Sequence, residues 1–179
     1  MFVLGLLLLV GGGTRLLWTI TAFTVGHSVT LALVTLGLLS YPVSLVEFAI
    51  ALSIFVLALD LARSPQVGSS QHLSLFKRHP WWLAGGFGLL HGMGFAGALA
   101  DIGLPQSNVP LALLFFNIGI EAGQIAFLLL LLGGWWLFKQ ALAMNAVTVN
   151  RTRLVLIPVY LLGGLSAMWC IERGIALIS

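Results

Sequence analysis

The sequence predicts an all-α fold, a polytopic transmembrane helix bundle of about six spans with the first one truncated. Three observations carry this. Of the 179 residues, 60% are hydrophobic and only 7% charged, a balance foreign to water-soluble domains. The apolar runs approach the roughly 20 residues that a spanning helix needs. The stretches between them are too short to build a soluble domain, so 1–179 reads as a single transmembrane domain.

The first run, Met1–Val10, covers only about 15 Å as a helix, half of a hydrocarbon core. It has no basic n-region and no small-residue cleavage site, so it reads as a helix lacking its beginning rather than as a signal peptide. "GGG" at Gly11–Gly13 ends it. The next spans are Leu16–Leu39, stopped before Pro42, and Val43–Leu61, stopped by the polar stretch "RSPQVGSSQHLSLFKRHP". Trp81–Ala100 comes next and ends at "GLPQSNVP"; Pro110–Phe138 ends in the loop around Asn145–Asn150, and Leu154–Ile171 is last. Trp18, Trp81, Trp82, Trp135 and Trp136 lie near span ends, where the amphipathic indole favours the interface.

Basic residues fall in alternate loops: Arg15, then Arg63, Lys77 and Arg78, then Lys139, Arg151 and Arg153. The positive-inside rule puts these loops in the cytoplasm of a bacterial inner membrane, with both termini, the Leu39–Val43 turn and the Asp101–Pro110 loop outside. The formal net charge of +3 is thus an orientation signal, and nucleic acid is not expected as a partner. Cys170 is the one cysteine, which excludes an intrachain disulfide and speaks against a thiolate metal site.

Ionisable groups inside the spans are the functional candidates, because a charged or strongly polar side chain in hydrocarbon costs several kcal/mol when unpaired. In the second span Thr24, His27 and Ser28 share one helical face, with His27 near the middle. Glu47 sits close to the outer end of the third span. His91 centres the fourth, where Gly88 and Gly92 form a small-xxx-small pair for close helix packing. The fifth span puts Asn117, Glu121 and Gln124 on one face and a second packing pair, Gly119 and Gly123, on the other. Glu47 and Asn117 are therefore expected shallow on the outer side, and His27, His91 and Glu121 together near the midplane.

For each of these groups the plain alternative is interhelical hydrogen bonding worth about 1 kcal/mol. That account is preferred for Asn117, Gln124 and the threonines. His72 and His79 lie beside Lys77 and Arg78 and read as solvated loop residues. Two imidazoles with carboxylates at similar depth suit a borderline divalent ion such as Ni²⁺, Co²⁺ or Zn²⁺, better than Mg²⁺. Ion binding to such a set releases protons. A metalloprotease is disfavoured by the lack of HExxH. Two other classes stay open: an intramembrane serine hydrolase using Ser28 with His91 as base, and a non-transporting assembly partner.

The stretches "TAFTVGHSVTLAL", "VEFAIALSI", "FGLLHGMGFAGAL" and "FFNIGIEAGQ" resemble the HupE/UreJ membrane family, particularly its second group. The resemblance implies a secondary permease for nickel or cobalt, with no permanently bound cofactor and with the metal ion as cargo. It also implies links to hydrogenase and urease maturation, and leaves a homo-oligomer open. By motif match it implies His27, Glu47, His91, Asn117 and Glu121 as metal-binding positions; Ser28, Thr24 and Gln124, on the same helical faces, are read as supporting residues. Members of the family carry an upstream Gly-x-Asp-His motif on the first helix; here "MFVLGLLLLV" is similar to the part of that helix just after the motif.

Overall fold

A computed structural model describes residues 1–63, 79–103, 108–144 and 151–178. They form six α-helices: α1 (Phe2–Val10), α2 (Thr14–Thr35), α3 (Val43–Arg63), α4 (Pro80–Ile102), α5 (Val109–Met144) and α6 (Arg151–Ile178). No strand occurs among the described residues. The expected loop histidine His72, with Lys77 and Arg78, lies outside them.

Four helices, α2, α3, α5 and α6, contain stretches long and apolar enough to cross a membrane. The nine residues of α1 are too few. The 23 residues of α4 are enough in length.

Helix ends depart from the expected spans where hydropathy and helix propensity part company. α5 runs past Phe138 because "KQALAM" is rich in strong helix formers although it is no longer uniformly apolar. α6 continues past Ile171 to Ile178. α2 stops before Leu39: Gly37 takes φ 72°, and the Leu38 N–H turns back to the Leu33 carbonyl. The tight α1–α2 connection needs Gly11 at φ 79° and Gly13 at φ 92°, a region that side chains avoid.

The most extensive packing is α2 against α4, followed by α3 against α6. The α2–α4 seam consists of backbone. A Cβ on Gly26 would overlap the Gly85 carbonyl, one on Gly88 the Phe23 carbonyl, and one on Gly92 the His27 carbonyl. From Phe23 and Gly88 to His27 and Gly92 the contact advances four residues on both helices, so α2 and α4 run parallel. Thr30 crosses the seam, its hydroxyl donating to the Leu89 carbonyl at 2.6 Å. By contrast, Gly119 and Gly123 on α5 have nothing within 4 Å of a built Cβ, which corrects the expectation that they form a packing face within this chain.

α3 runs antiparallel to α4, with Tyr41 donating to the Met93 carbonyl and Ser53 meeting His91. It is also antiparallel to α6, where Glu47 meets Arg173 and Ala58 meets Gly163. α5 is antiparallel to α2, with Thr24 opposite Gln124 and Leu31 in one cluster with Leu113. Short α1 packs against α2, α3, α5 and α6. There Leu6 joins fully buried Leu57 and Leu162 in the main apolar core. One end of the bundle therefore gathers the α2–α3 turn, Gly103 and the end of α6. The other gathers Arg15, Arg63 and the exposed indoles of Trp18 and Trp82.

Candidate functional site

A cavity of about 310 Å³ enters the bundle at the end that holds the α2–α3 turn. Glu47, Ile50 and Ile54 of α3, His91 and Phe95 of α4, and Arg173 of α6 line it. Glu47 and Ile54 are two helical turns apart, which lays one stripe of α3 along the cavity. At the mouth, Arg173 Nη1 lies 3.0 Å from Glu47 Oε2, both side chains about two-fifths exposed. His91, 6% exposed, forms the inner end.

The Ser53 hydroxyl donates to the Ile50 carbonyl at 2.7 Å, and Ser53 Oγ lies 3.2 Å from His91 Nε2. A hydroxyl has one proton, so with that proton on Ile50 the imidazole is the donor and carries its hydrogen on Nε2. Nδ1 is then the nitrogen with a free lone pair, the form in which a histidine binds a metal ion. Phe2 and Phe23 pack against this ring with centroids at 4.9 and 5.4 Å.

His27 stacks on Phe23 at 6.1 Å between ring centroids and meets Phe95 at 5.0 Å. It is 1% exposed, and neither ring nitrogen has a hydrogen-bond partner among the described residues. A buried polar group left so is rare in a folded protein and costs about 1–3 kcal/mol. Asn117 shows a milder form: Nδ2 donates to the Leu113 carbonyl at 2.9 Å, while Oδ1 is buried without a partner among the described residues. The antiparallel α2–α5 register brings Asn117 and half-buried Glu121 level with the His27 to Leu31 segment. Thr24 donates to Gln124 Oε1 at 3.4 Å across this interface.

The expected site residues thus fall into two groups. Glu47 and His91 share the α3–α4–α6 cavity, with His27 against its Phe95 and within electrostatic reach of His91; Asn117 and Glu121 belong to the α2–α5 side. Among the described residues no three His, Cys, Asp or Glu side chains gather closely enough to hold a metal ion together. A larger groove of about 1150 Å³ between α2 and α4, beside Trp18, Trp81 and Trp82, has no histidine or carboxylate in its lining. Ser28 donates to the Thr24 carbonyl at 2.7 Å, and the serine in contact with His91 is Ser53.

The HupE / UreJ protein family matches residues 1–173. The chain belongs to the HupE/UreJ family. No curated protein and no solved structure matches it. The family match reaches from α1 to Arg173, so both residues of the mouth ion pair fall inside it.

Two contributors to the site of this HupE/UreJ protein escape sequence reasoning. Ser53 lies six residues after Glu47 and looks like ordinary small-residue packing until the partner helix is known. Arg173 stands past the apolar run, where a basic residue reads as an exit signal rather than as the partner of a carboxylate 126 positions earlier.

Proposed function

We propose that this membrane protein is a permease for a divalent transition metal, nickel or cobalt, and that the ion enters through the cavity between Glu47 and His91. The observation that carries the reading is that one continuous cavity joins a mouth carboxylate to a buried imidazole. Imidazole nitrogen with carboxylate oxygen is a donor set suited to borderline ions. Family membership and helices fit to cross a membrane support transport over soluble chemistry.

From the cavity the ion passes Phe23 to His27 and then to the polar groups of the α2–α5 side, Asn117 and Glu121. Stations with few protein ligands each suit a permeating ion, which must bind well enough to enter and weakly enough to leave. The orientation that puts the cavity mouth outside the cytoplasm comes from the basic residues at the opposite end. Delivered ions would serve metalloenzyme maturation, with either a gradient or a partner driving entry. A hydrolase built on Ser28 and His91 is disfavoured, because the Ser28 hydroxyl bonds its own helix and its proton is directed away from any base.

Equilibrium binding of Ni²⁺, Co²⁺ and Zn²⁺ to the purified protein in detergent tests this reading. Saturable binding that His91→Leu and Glu121→Gln each weaken is the expected result. Equal, unsaturable binding to wild type and both variants would refute it.

A further inference from the structure

Glu47 is the carboxylate at the cavity mouth, and it is already occupied. Arg173 reaches from α6 to α3 and donates to its Oε2 at 3.0 Å. Of the residues that line the cavity, only Glu47, His91 and Arg173 are titratable or cationic. With the ion pair made and the imidazole neutral, the cavity offers an entering cation no net negative charge. The bridge also joins two helices at the opening. The neighbouring Phe48 packs on Gly174, so the helices are in close contact just beside the pair, and the guanidinium stands at the way in.

We infer that Arg173 is a gating residue: its guanidinium holds and neutralises the Glu47 carboxylate at the cavity mouth, and a divalent cation enters by exchanging with it. This rests on the permease reading for the identity of the cation, while the gate itself is a property of the ion pair. A half-exposed ion pair is weak, so thermal opening is frequent and the gate does not trap the protein shut. A dication attracts the released carboxylate more strongly than a monocation does, so exchange discriminates by charge before any imidazole is reached.

The test is thiol labelling, which needs no metal. Cys170 is changed to Ser, and a single cysteine is placed at Ile50, inside the cavity wall. Membrane-impermeant methanethiosulfonate reagents, one cationic and one anionic, are applied to the full chain in vesicles. With Arg173→Gln the mouth becomes negative. The cationic reagent should label faster by about five-fold, the change that about 1 kcal/mol makes in an equilibrium, and the anionic reagent should gain less. Arg173→Lys should stay close to wild type. The swapped pair Glu47→Arg with Arg173→Glu should restore slow labelling, which a merely structural role for Arg173 does not predict.

Should Arg173→Gln fail to fold, Glu47→Gln reads the same bridge from the other side: it frees the guanidinium and leaves the mouth positive, so the anionic reagent gains. Unchanged rates in whichever single variant folds, or a swapped pair as fast as Arg173→Gln, would overturn the gate. If labelling behaves as stated while radiolabelled nickel and cobalt are not taken up, the gate stands and the permease reading falls.

Discussion

Ser53 on α3 and His91 on α4 meet at 3.2 Å, and while the serine hydroxyl donates to Ile50 the imidazole is the Nε2–H donor. Ser53 therefore orients the ring that closes the inner end of the cavity. Outer-shell partners of this kind are commonly worth about 10–100-fold in metal affinity. Ser53→Ala is expected to weaken Ni²⁺ binding by about ten-fold, the lower end of that range, with the fold retained. Calorimetric titration alongside thermal unfolding separates the two effects. Unchanged affinity would show that His91 needs no positioning.

His27 makes a different prediction because both its nitrogens lack a partner among the described residues. A buried polar group without a partner destabilises, so an apolar residue of similar size should be tolerated or favoured. His27→Leu is expected to leave the unfolding temperature in detergent unchanged or raised, while metal uptake falls. A marked loss of stability would mean that the imidazole holds the bundle together, and would return His27 to a structural role.

The two glycine pairs should respond oppositely to a methyl group. Gly88 faces the Phe23 carbonyl across the α2–α4 seam, whereas Gly119 meets nothing within 4 Å. Gly88→Ala is expected to destabilise by about 1–3 kcal/mol, as overpacking of a close interface does. Gly119→Ala should be neutral or slightly stabilising, since Ala is the better helix former. Denaturant titration of both variants checks this. Destabilisation by Gly119→Ala would point to a second copy of the chain packed on that face.

Thr24 and Gln124 offer a smaller effect. Their hydrogen bond is long at 3.4 Å, and interhelical bonds in membrane proteins average about 0.6 kcal/mol. A double-mutant cycle with Thr24→Val and Gln124→Leu should return a coupling below about 1 kcal/mol. A much larger value would require a network that includes Glu121.

Much of the helix arrangement is legible in the sequence because apolar runs and their breakers are local signals. Gly11–Gly13 and the α2–α3 turn fall where composition changes. Helix ends are less legible, since "KQALAM" after Phe138 leaves the apolar pattern without leaving the helix. The identities of the membrane-buried polar residues are legible too, because a histidine or glutamate among leucines stands out whatever its partners are. Their grouping is not. How the two imidazoles stand around Phe23 depends on how α4 docks on α2, and that docking is set by backbone contacts at Gly26, Gly88 and Gly92. The Glu47–Arg173 pair joins residues 126 positions apart, a relationship that spacing along the chain does not encode.

The central claim, entry of a divalent ion through the Glu47–His91 cavity, is tested most directly by uptake of radiolabelled nickel and cobalt into vesicles containing the purified protein. The account predicts saturable uptake in wild type that His91→Leu abolishes, although that variant still folds. Uptake by His91→Leu at the wild-type rate, or no uptake of either ion by the wild type, would contradict it.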